Sequence, residues 1–366
     1  MDPTISSESR IALVCLGGPE NGPFTAMAAR ILYEVLSANN LRISAIYTCS
    51  GSTPTALLGC AGDFVKLCNV WANLTPRDIV GKIGKLRTGY RALTSESLLS
   101  SHVLGELIQK HWDVNKIFSS EAIAIKFQAT DLFSREAVTF SNKDSRHQKY
   151  FLQGVLGTMG LVPFLQPQVI LNPHGSGLMD DDKIKNNTLL LVDAGYKDNM
   201  MLEEAMRDGF DVIFLLDVHG LKPTLNKFIL KDLHGKFAWA KLLRNCFHVL
   251  TNANSVKSFR LTDRANEEIV IRDEMVDLAK QLPDMHAQAL YKIIHRMNTG
   301  RLRLGDKKKA QIYMVANEAY STLFNFANFK TEEPRELMTA GWMAAVEVLE
   351  SLGFDTNIVK PVFHEK

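Results

Sequence analysis

The chain has 366 residues, 46% hydrophobic and 22% charged, with a formal net charge of +2 at pH 7. That length allows one large domain with an appendage, or two domains, and the composition is ordinary for a globular fold. The near-neutral balance excludes the strong positive field of a dedicated nucleic-acid binder, and no apolar run reaches the roughly 18 residues of a membrane span.

The N-terminal stretch MDPTISSESR lacks a basic segment followed by an apolar one, so no secretory signal is expected and the chain reads as cytoplasmic. Residues 11–16 (IALVCL) are a short continuous apolar run of the kind that forms a fully buried parallel strand. The Gly/Pro-rich turn GGPENGP follows, then a helical pattern over 24–36 with Met27, Ile31, Leu32 and Val35 near helical spacing. Residues 43–48 predict a second buried strand that breaks at CSGSTP and gives way to a helix near Pro54, a residue favoured in a first turn. Strand–turn–helix twice over is the pattern of a parallel sheet covered by helices.

Further strands are expected at 122–129, 138–140, 189–192 and 212–218. The stretch 172–187 (NPHGSGLMDDDKIKNN) reads as an exposed loop. Its place between a proline-bearing turn and the strand ending at Asp193 makes it the expected lid near the site mouth. Beyond Leu221 helical signals dominate, over 273–282, 287–297 and 336–352, so 1–220 is read as the α/β core and 221–366 as a helical portion packed on it. Lys307, Lys308 and Lys309 read as a solvated turn. The five cysteines are odd in number and contain no C-x-x-C pair, while Cys15, Cys49 and Cys60 lie in apolar runs. This favours a reducing compartment over a disulfide framework or a zinc site.

Three segments can carry chemistry. Ser50, in Tyr47-Thr48-Cys49-Ser50-Gly51-Ser52-Thr53-Pro54, follows a buried strand and precedes a helix. A tight turn there exposes a hydroxyl at the carboxyl edge of the sheet, beneath a helix N-terminus that favours negative charge. The bland reading is a helix N-cap. Asp193, in Leu191-Val192-Asp193-Ala194-Gly195, ends another buried strand, where a carboxylate can take a serine's proton directly; it can also be an ordinary turn aspartate. Gly17 and Gly18 open a glycine-rich turn able to offer N–H groups to an oxyanion. The turn could also cradle a phosphate, but it matches neither nucleotide-binding pattern. His174 and His219 read as bystanders.

In this order and context the three segments resemble the patatin-like phospholipase family, with its glycine-rich oxyanion loop, G-x-S-x-G elbow and later D-G-[GA]. Asp193-Ala194-Gly195 matches the last, and Asn199 fits an asparagine the family often carries shortly after it. Ala129-Thr130-Asp131-Leu132, the turn Val162-Pro163-Phe164-Leu165-Gln166-Pro167 and the tail 324–345 add to the likeness, and 221–311 is its weakest part. Ser50 as nucleophile also resembles the G-x-S-G-S-T elbow of cytosolic phospholipases. Sliding the register makes Thr53 the alternative nucleophile. What the resemblance implies is a patatin-like three-layer α/β fold with a mainly parallel sheet. It also implies a Ser50–Asp193 dyad, an oxyanion hole from Gly17, Gly18 and Gly51, and no metal or cofactor.

Three positions depart from the pattern. Thr48 replaces the first elbow glycine and crowds the turn with a branched side chain. Pro19 has no N–H to donate, and Asn21 removes a positive charge. Loss of one oxyanion donor costs about a hundred- to a thousandfold in rate. Two functions are therefore carried forward: a lipid acyl hydrolase of phospholipase A or non-specific ester type, and a catalytically impaired relative serving as a binding or regulatory module. The stretch 227–244 mixes Phe228, Phe237 and Trp239 with Lys227, Lys236 and Lys241, which suits peripheral contact with an anionic membrane or a helix packed on the sheet with a solvated basic face.

Overall fold

The apolar run at 11–15 has no polar face to show water, so it is stable only inside a sheet covered on both sides. The computed structural model describes residues 5–18, 21–80, 101–162, 164–218, 238–300, 303–316, 330 and 332–359. In it β1 (Ile11–Cys15) lies between β2 (Ile43–Cys49) and β7 (Val212–Leu216), parallel to both. β3 (Ala124–Asp131) extends the sheet in parallel beyond β2, and β8 (Gln311–Val315) does so beyond β7. β4 (Ala137–Ser141) and β6 (Thr188–Val192) flank β3 antiparallel, and β5 (Gln168–Leu171) lies outside β6. The result is an eight-stranded, mainly parallel sheet in the order β5-β6-β3-β2-β1-β7-β8, with β4 on β3.

Helices cover both faces: α1 (Asn21–Ala38), α2 (Thr53–Cys60), α3 (Phe64–Asn73), α4 (Pro76–Val80), α5 (His102–His111), α6 (Val114–Ile117), α7 (Phe151–Thr158), α8 (Leu202–Arg207), α9 (Ala238–Gln281), α10 (Asp284–Thr299) and α11 (Glu333–Ser351). Alternate residues of β1 serve different cores, as strand pleating requires. Ile11, Leu13 and Cys15 join α1, α2, α7 and α11, whereas Ala12 and Val14 join α8, Ala265 and Ile269 of α9, and Leu304. This is a three-layer α/β fold with a mostly helical C-terminal portion. Cys15, Cys49, Cys60 and Cys68 are free and buried. Among the described residues no helix is long and apolar enough to cross a membrane.

The C-terminal portion also supplies β8, which local pattern does not predict because QIYMV is short and lies just after three lysines. Those lysines do not form a wholly solvated turn: the Lys307 side chain is 5% exposed, with Nζ 3.0 Å from the Glu203 carboxylate. Residues 227–237, His219, Pro19 and Pro163, and part of the 324–345 tail, lie outside the described residues, as do the side chains of 238–244.

Pairing geometry decides where the ends of β2 and β6 meet. The Asp131 N–H donates to Glu136 in the β3–β4 turn and the next N–H, that of Leu132, donates to Leu190 on β6. Successive N–H groups of a strand point to opposite edges, so β6 occupies the same edge of β3 as β2. Cys49 of β2 lies opposite Gln128 and Val192 of β6 opposite Thr130. The two strands thus approach head-on, and Ser50 and Asp193 both arrive at the level of Ala129. The same geometry corrects the lid expectation. β5 and β6 are antiparallel, and Leu171 pairs with Thr188, so the 172–187 connection falls at the end of β6 away from Asp193.

Candidate active site

The elbow forms because β2 stays extended through Cys49 (φ −154°, ψ 162°) and the chain then turns abruptly. Ser50 takes φ 48°, a left-handed conformation that is uncommon for a non-glycine residue. Its N–H donates to Thr158 Oγ1 at 2.9 Å, and the Thr158 hydroxyl donates to the Gln128 carbonyl. A short 3-10 turn, Ser50–Ser52, leads into α2, whose first turn carries Pro54. Thr48 is not in this turn. It pairs with Phe127 and Cys15 within β2, so its branched side chain occupies an ordinary strand position and does not crowd the elbow.

The Ser50 hydroxyl donates to Asp193 Oδ2 at 2.7 Å. The other carboxylate oxygen accepts the Gly195 N–H at 2.8 Å, and the Asp193 N–H donates to the Gly160 carbonyl at 3.1 Å. Asp193 is 2% exposed, and burial pushes its carboxyl up to about 7 against the pull of both hydrogen bonds. A carboxyl poised there can exchange a proton with a serine hydroxyl near neutral pH. Thr53, the alternative nucleophile, is buried in the first turn of α2, and its hydroxyl has no hydrogen-bond partner among the described residues.

The glycine turn packs directly against this pair. A Cβ on Gly17 would sit 2.0 Å from Asn199 Oδ1 and 2.9 Å from Ser50 Cβ, so only glycine fits. The Gly17 N–H is already committed to the Asn199 carbonyl at 3.2 Å. Its carbonyl accepts both Asn21 Nδ2 at 3.0 Å and Asn199 Nδ2 at 3.1 Å. Gly17 therefore contributes close approach, and no donor is left for an oxyanion. Asn21 also accepts the Val218 N–H at 2.8 Å, which makes it a brace between the ends of β1 and β7. Gly18 follows at the rim, with no acceptor facing its N–H among the described residues. Gly51, second in its 3-10 turn, has an N–H without an intrahelical acceptor by position.

Thr158, Gly160 and Gln128 were invisible to motif reading. Each contributes one polar atom from an unremarkable apolar or strand context, and only sheet register brings them to the elbow. His174 stands at the far loop, near Asp181. Asn254 of α9 donates to the Gly195 carbonyl at 3.1 Å, fastening the Asp193 turn to the C-terminal portion.

No protein-family profile matches the chain, and no curated protein matches it in sequence. In structure it is similar to VipD from Legionella pneumophila, with a TM-score of 0.41 and 12% sequence identity over 95% of this chain and 68% of that one. It is also similar to human GIVD cytosolic phospholipase A2, with a TM-score of 0.38 and 10% identity over 64% of this chain and 49% of that one. Both likenesses are too distant to carry chemistry from those proteins to this chain.

Proposed function

We propose that the protein hydrolyses lipid acyl esters through a two-residue mechanism in which Ser50 is the nucleophile and Asp193 its base. The observation that carries this reading is the 2.7 Å hydrogen bond from the Ser50 hydroxyl to a buried carboxylate at the carboxyl edge of the sheet. Ser50 Oγ attacks the ester carbonyl carbon while its proton passes to Asp193 Oδ2. The oxyanion accepts N–H groups from Gly18 and Gly51. Collapse breaks the ester C–O bond, and protonated Asp193 returns its proton to the departing alkoxide. Water, deprotonated by Asp193, then clears the acyl-enzyme and releases the acid. The lipid class rests on the motif resemblance, and peripheral membrane contact on the composition of 227–244.

A second reading, a binding module on the same scaffold, is favoured by one observation: the Gly17 N–H is spent on Asn199, which leaves a smaller oxyanion hole. A fluorophosphonate probe on the purified chain separates the two. Labelling is expected in the wild type and in Thr53→Ala, and none in Ser50→Ala; Asp193→Asn should label at least a hundredfold more slowly, about the effect of losing a general base. Labelling that persists in Ser50→Ala sinks the assignment. A wild type that neither labels nor releases fatty acid from lipids puts the binding module ahead.

A further inference from the structure

A second site lies away from the dyad, where a 3-10 turn, Ser145–Tyr150, faces the segment 172–176. Between them is an open depression of about 620 Å³ lined by Ser145, Arg146, Gln148, Lys149, His174, Gly175 and Ser176. Among these described lining residues none is acidic and three are basic. The remaining side chains can all donate hydrogen bonds. The loop places this depression at the end of β6 remote from Asp193, roughly 20 Å away at the rise of a β-strand.

The walls are held in place. The Tyr150 hydroxyl donates to the Asn172 carbonyl at 3.1 Å, tying one wall to the other. The Gly175 N–H donates to both Asp181 carboxylate oxygens, at 3.0 and 3.2 Å. Arg146 is fixed from behind: Nε and Nη2 donate to the Asp144 carboxylate, Nη2 at 2.6 Å. Its guanidinium packs against Gly177, where a Cβ would fall 2.6 Å from Nη2. That leaves Nη1 without an acceptor among the described residues. The Lys149 ammonium lies 4.4 Å from the centroid of the Tyr150 ring and has no carboxylate partner among the described residues. Two carboxylates border the site, Asp144 on Arg146 and Asp181 3.7 Å from His174 Nδ1, and both are engaged in orienting donors.

We propose that this depression binds a phosphomonoester. Such a group carries up to two negative charges and three terminal oxygens, each a strong acceptor. A planar guanidinium, a mobile ammonium and hydroxyls on opposing walls match that set of acceptors, which a single carboxylate would leave half used. The ligand can be a free phosphate compound or a lipid headgroup. Leu171, immediately before the loop, is 64% exposed and Val169 50% exposed, and these would meet a bilayer beside the headgroup. The site does not depend on the reading of Ser50 and Asp193.

The test uses the full chain in two arms. Calorimetric titration with inorganic phosphate reads the free ion. Flotation with ether-linked phosphatidylcholine vesicles reads the headgroup, comparing phosphatidic acid with phosphatidylserine at matched surface charge. Saturable binding in either arm is expected, weakened about tenfold by Lys149→Glu, the loss of one charge-assisted bond, and restored by Lys149→Arg. Lys149 is exposed, so its variants should unfold at the wild-type temperature. Binding in solution identifies a free phosphate ligand, and binding only to phosphatidic acid vesicles identifies a headgroup. No binding in either arm, equal retention by phosphatidylserine, or indifference to Lys149→Glu overturns the proposal.

Discussion

A serine at φ 48° holds a conformation that costs about 1–3 kcal/mol, and the surrounding bonds must over-determine it. They do so from both sides, through Thr158 on its N–H and Asp193 on its hydroxyl. Asp193 carries a cost of its own. Burial raises its carboxyl to about 7, whereas in the unfolded chain it titrates near 4. The folded chain therefore keeps a proton that the unfolded chain releases between about pH 4 and 7. That stabilising contribution is complete below about pH 4 and is lost as pH rises through about 7. Relative to Asp193→Asn, the wild type should lose up to about 4 kcal/mol of unfolding free energy between pH 4 and 8. Denaturant titrations of both proteins at the two pH values check this, and a difference that is flat with pH would refute it. Under the proposed mechanism, with Asp193 as base, hydrolysis should move the opposite way, rising through about pH 7 as the carboxyl ionises.

At the scale of elements, α7 is what delivers Thr158. It lies close on the sheet because Gly157 has no side chain: a Cβ there would stand 2.6 Å from Leu191 Cβ. Thr158→Val keeps the shape but leaves the Ser50 N–H and the Gln128 carbonyl without this partner, at about 1–3 kcal/mol for the buried carbonyl and less for the half-buried Ser50 N–H. Probe labelling of Thr158→Val should slow at least tenfold, while Thr158→Ser, which keeps the hydroxyl, should label near the wild-type rate. Equal labelling of all three proteins would reduce Thr158 to a packing residue. The β5–β6 hairpin shows a second element-scale effect, since antiparallel pairing sends its connection to one end and Asp193 to the other.

Over the whole molecule, the sheet and its cover draw on both ends of the chain. β8 closes the exposed edge of β7, and α11 packs along α1 with Leu337, Ala344 and Ala345 in the shared core. A fragment comprising only residues 1–220 would expose the β7 ladder and the apolar face of α1 to water. Such a fragment is expected to lose cooperative thermal unfolding by circular dichroism. A sharp transition near that of the full chain would show instead that 1–220 folds independently.

The sequence alone determined β1, β2 and β6 and the helices α1 and α2 that frame the site, because buried strands leave continuous apolar runs and amphipathic helices leave a 3.6-residue period. It also marked Ser50, Asp193 and the Gly17 turn, since turn residues at strand ends are local features. β5, β8 and α7 escaped it: the two strands are short edge runs whose half-buried residues carry little pattern, and α7 spans only eight residues. Only the tertiary structure decided that Ser50 and Asp193 meet, because the register of β2 and β6 on one edge of β3 is set by pairing between segments distant in the chain, Ser50 and Asp193 themselves being 143 residues apart. It also decided that the Gly17 N–H belongs to Asn199, that Thr53 is buried, and that Thr158 holds the elbow. Such pairings are made by a few polar atoms across long loops, and no local sequence pattern encodes them.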